Sequence, residues 1–185
     1  MNKLDKKELL SIPNCMGYFR ILLIPIFCYF YVKAETRRDY SIAAGIVVIS
    51  TITDFLDGFV ARKFQMITEF GKFLDPVADK LTHGAIAICL MIRYPNMRYL
   101  VALMVIKEGY MAVVGWLNLK QGRKLDGAKI YGKVCTATLF LLLFILVLFP
   151  GIPDSYANIC IAIEMLIMLM TLILYALEYQ KLQKI

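Results

Sequence analysis

The sequence predicts an all-α integral membrane protein with six transmembrane helices and a short amphipathic helix at the N-terminus. Hydrophobic residues make up 60% of the 185 residues, and the mean hydropathy of +0.67 is far above that of an ordinary soluble domain. The apolar residues are also gathered into six segments, each close to the length of about 20 residues that a membrane-spanning helix needs.

The N-terminal segment differs from the rest because it mixes leucines with lysines. Residues 2–11 place Leu4 and Leu9 among Lys3, Lys6 and Lys7, a pattern typical of a helix that lies on the bilayer surface. We therefore divide the chain into a juxtamembrane segment, residues 1–12, and a six-helix transmembrane domain, residues 13–185.

Six spans follow from the apolar segments. They are predicted at roughly 14–33, 40–62, 71–93, 97–119, 131–150 and 155–179. Polar residues 62–72 connect the second span to the third, and a basic loop at 120–133 leads into the fifth. Gly151 and Pro153 mark the turn before the sixth span.

Lysine and arginine predict the orientation, since they concentrate on the cytoplasmic side of membrane proteins. Most of them fall at the two termini and in the connections 62–72 and 120–133. This bias predicts a multi-pass protein of the cytoplasmic membrane with both termini inside the cell. The net charge of +7 suits membrane lipid headgroups and phosphate substrates, and nucleic acid is not expected as a partner because the basic residues flank spans.

The most informative feature is a group of four aspartates within this apolar sequence. Asp54 and Asp57 are three residues apart, and Asp75 and Asp79 are four apart, so each pair shares one helix face. The two helices are joined by a short connection and can lie antiparallel. We therefore expect the four carboxylates to converge on one pocket toward the cytoplasmic ends of the spans, since carboxylates at membrane depth tend to mark function.

Carboxylates that lie together repel one another unless a cation neutralises them. Oxygen ligands favour Mg²⁺, Mn²⁺ or Ca²⁺ over zinc, and four carboxylates suffice to bridge two ions. The sequence therefore predicts a two-metal site for Mg²⁺ or Mn²⁺ on Asp54, Asp57, Asp75 and Asp79. The single histidine, His83, excludes a two-histidine phospholipase-D-type site within one chain.

Small residues accompany these ligands. Gly58 and Ala61 lie on the same face as Asp54, and their missing bulk would let a substrate approach the helix. Close helix packing explains Ala61 equally well. Pro76 either begins the third helix after an Asp75 N-cap or lies inside a helix that begins near residue 68.

The whole pattern resembles the signature of the CDP-alcohol phosphotransferase family. Its fixed positions, with every spacing kept, are Asp54, Asp57, Gly58, Ala61, Arg62, Gly71, Asp75 and Asp79. Ile12-Pro13-Asn14 followed by Arg20 is similar to the first helix of the bacterial phosphatidylglycerophosphate synthases of this family, with Gly17 where a threonine is common. Gly132-Lys133 and Thr136 resemble another stretch of those synthases.

The resemblance implies a reaction: transfer of a phosphatidyl group from CDP-diacylglycerol to a small alcohol, with release of CMP. The phosphorylated alcohol glycerol 3-phosphate is the first expectation. The resemblance also implies metal binding by all four aspartates, with Asp79 as the catalytic general base, and a homodimer. The residues expected to bind the nucleotide donor are Asn14, Gly58, Ala61, Arg62 and Gly71.

An anionic acceptor requires cations, and three residues are the candidates for its phosphate: Lys107, Arg123 and Lys133. A structural interpretation remains open, in which Lys107 pairs with Glu108 or Glu164 and the loop residues only follow the positive-inside bias.

Two further functions remain open. The same chemistry could use phosphatidylglycerol, as a cardiolipin synthase does, or inositol phosphate or serine as acceptor. A divalent-cation transporter would also explain carboxylates within spans, but not the spacing of Gly58, Ala61 and Arg62 around them.

Overall fold

The computed structural model of the protein describes residues 10–120 and 129–183, and every regular element in these two ranges is helical. The helices are α1 (Ile12–Val32), α2 (Arg37–Lys63), α3 (Glu69–Leu90), α4 (Met97–Lys120), α5 (Ile130–Leu148) and α6 (Asp154–Gln183). Each predicted span corresponds to one of them. The predicted surface helix at 2–11 falls almost entirely outside the described residues.

Among the described residues, five helices are long and apolar enough to cross a membrane, which confirms the prediction of an all-α integral membrane protein. The exception is α3, because Asp75, Asp79 and Lys80 interrupt its apolar sequence. Large apolar side chains are exposed along the helices, including Phe55 on α2. Such exposure is what a lipid-facing surface requires. A membrane crossing by α3 stays a prediction.

The chain divides into two compact units, one built on α1, α2 and α3 and the other on α4, α5 and α6. In the first unit, α1 and α2 pack against each other. Small side chains on α2 and α3 are completely buried, among them Ala43 and Ala78. Small residues let helix backbones approach closely within a membrane, which brings the polar faces of the three helices together.

The connection between α2 and α3 reverses the chain within five residues. Gln65 adopts a left-handed conformation with φ of 54°, and the N–H of Met66 donates to the carbonyl oxygen of Ala61 at 2.9 Å. This arrangement satisfies an open carbonyl at the end of α2. Pro76 lies inside α3, which begins at Glu69, so the alternative in which Pro76 begins the helix is wrong.

In the second unit, α4 packs against α6. The core is made of fully buried side chains such as Leu100 on α4, Leu143 on α5 and Met168 on α6. A β-carbon at Gly132 would overlap the hydroxyl of Tyr175, so the glycine in the first turn of α5 makes room for this side chain of α6.

Candidate active site

The four aspartates of the first unit converge, and their common partner is the guanidinium of Arg20 on α1. Its Nη1 atom contacts Asp54 Oδ1 and lies 2.7 Å from Asp79 Oδ1. Its Nε lies 3.5 Å from Asp57 Oδ2, and its Nη2 lies 3.8 Å from Asp75 Oδ1. The convergence expected from the helix spacing is therefore present, with an arginine at its centre.

The cluster has a buried side and an open side. The side chains of Arg20 and Asp57 are only 3% and 4% exposed, whereas those of Asp54, Asp75 and Asp79 are 46%, 47% and 45% exposed. Three carboxylates can therefore be reached by a solute. The fourth, with the arginine, forms the interior wall of the site.

Hydrogen bonding within the cluster is incomplete. Among the described residues, neither Nε nor Nη2 of Arg20 has a hydrogen-bond partner, and the same is true of Asp57 Oδ2. Unsatisfied buried polar atoms are costly and call for an explanation. Four carboxylates against one guanidinium also leave an excess of three negative charges if all are ionised.

The donor set suits a hard divalent cation. Carboxylate oxygens are the ligands that Mg²⁺ and Mn²⁺ prefer, and the charge excess and unsatisfied oxygen fit further positive charge at this place. Within the described ranges, however, no three acidic, cysteine or histidine side chains are grouped closely enough to hold one ion. The aspartates fit a metal by type and charge, while their present spacing is set around Arg20.

Arg20 is the residue whose role the sequence analysis missed. It was noted only as part of the first-helix pattern, and the aspartates it contacts are 34 to 59 residues away. A signal was available: a lone arginine in an apolar span is expensive unless it is paired, and the nearest acidic group in the sequence is not on α1. The spans therefore had to supply its partner.

Asn14, predicted to bind the nucleotide donor, lies at the junction of α1 and α3. Its Nδ2 donates to Thr68 Oγ1 at 3.1 Å, and that hydroxyl accepts the backbone N–H of Gly71 at 2.9 Å. Thr68 is thus the N-cap of α3. A β-carbon on Gly71 would lie 2.7 Å from Asn14 Oδ1, so the glycine at this position lets α1 approach α3.

The other predicted donor residues lie along α2. The guanidinium of Arg62 folds back over Gly58, where a β-carbon would lie 3.3 Å from Nη1. Arg62 is exposed and Ala61 is half-buried. The small residue at 58 therefore accommodates the Arg62 side chain.

The predicted acceptor-side residues belong to the second unit, except that Arg123 lies outside the described residues. Lys107 is buried on α4, and its Nζ donates to Glu108 Oε1 at 2.8 Å. This is one of the two pairings that the structural interpretation foresaw. Lys133 is exposed in the first turn of α5.

The chain is similar to known proteins along most of its length. The sequence model of the CDP-alcohol phosphatidyltransferase family matches residues 10–177. A protein of Escherichia coli K12 named CDP-diacylglycerol–glycerol-3-phosphate 3-phosphatidyltransferase is 32% identical over 155 residues, 82% of this chain and 84% of that protein. Proteins of the same name from Wigglesworthia glossinidia and Rickettsia typhi are also similar.

These two relatives match over shorter segments. The Wigglesworthia protein is 37% identical over 121 residues, 60% of this chain and 65% of its own length. The Rickettsia protein is 42% identical over 82 residues, which make up 44% of this chain. The chain therefore spans less than half, 45%, of that relative's length. Since the family match extends over nearly the whole chain and includes all four aspartates, the chain belongs to the CDP-alcohol phosphatidyltransferase family.

Proposed function

We propose that the chain transfers a phosphatidyl group from CDP-diacylglycerol to glycerol 3-phosphate and releases CMP. The observation that carries the proposal is the convergence of four family-signature aspartates on one partly open site. The names of the relatives support the choice of donor and acceptor. The family is generally dependent on a divalent metal, which agrees with the charge excess of the site.

Asp54, Asp57, Asp75 and Asp79 would hold two divalent cations, Mg²⁺ or Mn²⁺. When bound, the ions would neutralise the carboxylates and the charge that develops on the diphosphate and on the departing CMP. The half-exposed Asp54, Asp75 and Asp79 lie where ions and nucleotide can enter.

Asp79 would act as general base. The acceptor hydroxyl gives its proton to the Asp79 carboxylate as its oxygen bonds to the β-phosphorus of CDP-diacylglycerol. The bond between that phosphorus and the bridging oxygen breaks, and CMP leaves with the electron pair. Asp79 is half exposed, as a base that meets an incoming hydroxyl must be.

The chain's remaining predicted residues would position the substrates. The cytidine diphosphate would lie along the faces that carry Gly58, Ala61 and Arg62, close to Asn14 and Gly71. Lys107, Arg123 and Lys133 would bind the acceptor phosphate. The site would face the cytoplasm from the cell membrane, with the acyl chains in lipid, and the enzyme would act as a homodimer.

A direct assay tests the proposal. The purified chain, in detergent micelles with CDP-diacylglycerol and Mg²⁺ or Mn²⁺, is given one alcohol at a time while CMP release is measured. We expect turnover with glycerol 3-phosphate that stops when EDTA is added and returns with excess Mg²⁺ or Mn²⁺. Turnover with phosphatidylglycerol, inositol phosphate or serine, but not with glycerol 3-phosphate, would replace the acceptor and keep the chemistry.

A transporter would give a different outcome. Proteoliposomes that accumulate divalent ions without any CDP-lipid, and that release no CMP with any of the four alcohols, would contradict the enzymatic function altogether.

A further inference from the structure

The position of Arg20 has a consequence beyond the proposed reaction. A cationic side chain buried in a membrane helix is stable only with counter-charges around it, and Arg20 has four. Through three different nitrogen atoms its guanidinium reaches Asp54 and Asp57 on α2 and Asp75 and Asp79 on α3. It therefore cross-links the two helices that carry the site.

The shortest of these contacts join opposite helices. One nitrogen atom, Nη1, contacts both Asp54 Oδ1 of α2 and Asp79 Oδ1 of α3. A divalent ion that bridged the same two helices would use the same carboxylates. Mg²⁺ binds oxygen ligands at about 2.0–2.1 Å, whereas Asp57 and Asp75 lie 3.5 and 3.8 Å from the guanidinium. These carboxylates would therefore have to move closer to an ion that took its place.

The grouping of the side chains agrees with this view. With Arg20 at the centre, no three acidic side chains in the described part of the chain are close enough to hold one ion. Without any cation, the four carboxylates on α2 and α3 would repel one another. Arg20 removes much of that repulsion but leaves a negative excess that attracts a stronger cation.

We propose that Arg20 is a built-in counter-cation that holds the four carboxylates together before metal binds, and that a divalent ion competes with its guanidinium for Asp54 and Asp79. Metal binding is then an exchange of cations: the ion enters from the open side and the guanidinium withdraws from these two carboxylates. This inference rests on the proposed metal-dependent site. It makes Arg20 a positioning residue for the unliganded enzyme.

A metal-binding measurement without substrate tests the exchange. Wild type, Arg20→Met and Arg20→Lys are purified in detergent micelles with EDTA, dialysed, and titrated with Mn²⁺ while the paramagnetic resonance signal of free Mn²⁺ is recorded. If Arg20 competes, its removal tightens Mn²⁺ binding by about tenfold or more, because a nearby unit charge no longer opposes the ion. Arg20→Lys keeps the positive charge but lacks the planar guanidinium, and its Mn²⁺ affinity should lie between those of wild type and Arg20→Met.

Thermal unfolding supplies the second readout. Arg20→Met should unfold at a lower temperature than wild type in EDTA, and saturating Mn²⁺ should raise its unfolding temperature more than that of wild type, because tighter binding stabilises the folded state more. If Arg20→Met cannot be purified without metal, the Arg20→Lys protein carries both measurements.

Lys72→Met is the matched control. It removes one positive charge from α3, but Lys72 is exposed and its partner is Glu69, 2.6 Å away, rather than the aspartates. We expect its Mn²⁺ affinity to stay within about twofold of wild type, since exposed charges are screened. An equal gain in affinity for Lys72→Met would overturn the specific role of Arg20.

The opposite sign would also overturn the inference. If Arg20 remained with the ligands and oriented them, both substitutions would weaken Mn²⁺ binding, by about 10–100-fold for a lost supporting partner, while wild type still bound the ion. That result would leave the proposed function intact. No Mn²⁺ binding by any variant or by wild type, together with no metal-dependent CMP release, would instead remove the proposed function and the inference together.

Discussion

Each of the two units buries a basic side chain among apolar helices, but the charge around it differs. In the first unit Arg20 meets four carboxylates. In the described part of the second unit, Lys107 forms an ion pair with the neighbouring Glu108 at 2.8 Å, and Glu164 lies near enough to interact with it electrostatically. The first cluster has four carboxylates around one cation, whereas Lys107 has two near it.

This difference in charge indicates which cluster requires a ligand. A structural role explains the contact between Lys107 and the partly exposed Glu108. A cluster with unmatched carboxylates is stable only with further cations, so it is the place where an ion from solution should bind. The second unit holds a further buried carboxyl group, that of Glu164, whose Oε1 has no hydrogen-bond partner among the described residues. Because it lies outside the aspartate cluster, Glu164 is the control for the catalytic role of that cluster.

The largest expected effect comes from comparing Asp79 with Glu164. Asp79→Asn removes the proposed base and should lower the rate of CMP release by about 10²–10⁴-fold. Glu164→Gln replaces a buried carboxyl group of the second unit with an amide of similar shape. It should leave the rate within about threefold of wild type, because only interactions that strengthen in the transition state accelerate the chemical step. Equal losses of rate in the two variants would contradict the conclusion that the aspartate cluster alone serves catalysis.

Lys107→Met should destabilise the protein. It removes the buried ammonium group from its 2.8 Å contact with Glu108, whose side chain is 28% exposed, and loss of a hydrogen bond between charged groups costs about 1.5–3 kcal/mol. The double variant Lys107→Met with Glu108→Gln should recover most of the unfolding temperature. A Lys107→Met protein as stable as wild type would contradict the structural importance of this pair.

The same double variant sharpens the role of Lys107. If Lys107 contacts the acceptor phosphate as predicted, the double variant should still show a raised KM for glycerol 3-phosphate and an unchanged KM for CDP-diacylglycerol. An unchanged KM for both would mean that Lys107 is only one half of an ion pair.

Lys133 and Lys129 offer a comparison within one turn. Lys133→Ala should raise the KM for glycerol 3-phosphate by about tenfold, the lower end of what a hydrogen bond to a charged group contributes. Lys129 pairs with Glu178 at 3.0 Å, and Lys129→Ala should change this KM by less than about threefold, as expected for a partly exposed pair. Identical shifts in the two variants would indicate a general effect of positive charge rather than a binding site.

Helix positions and the convergence of the aspartates could be predicted because both depend on neighbours along the sequence. Apolar length predicts a span, and spacings of three and four residues place Asp54 with Asp57 and Asp75 with Asp79 on single faces. The contacts of Arg20 could not be read in this way, since they join α1 to residues 34 and 59 positions away. Pairing across helices depends on packing that no local spacing encodes.

Local rules were also insufficient at the beginning of α3. The sequence allowed Pro76 either to begin the helix or to lie within one that begins near Thr68, and local spacing did not decide between the two. In the structure the Thr68 hydroxyl caps the helix through the Gly71 N–H at 2.9 Å and is fixed in turn by Asn14. The tertiary contact with α1 therefore agrees with a helix that begins before the proline.

The smallest effect concerns the scaffold of the first cluster. Gly71→Ala would bring a β-carbon to 2.7 Å from Asn14 Oδ1 and to 3.0 Å from Thr68 Oγ1. The overlap should separate α1 from α3 and lower the free energy of unfolding by about 1–3 kcal/mol. Gly45→Ala is the control, because nothing lies within 4 Å of its β-carbon, and it should be neutral or stabilising by up to about 1 kcal/mol. Unfolding temperatures in detergent measure both. If Gly71→Ala also weakens Mn²⁺ binding while Gly45→Ala does not, the position of α1, and with it Arg20, controls the spacing of the carboxylates; a Gly71→Ala protein as stable as Gly45→Ala would show that this junction does not hold the cluster in place.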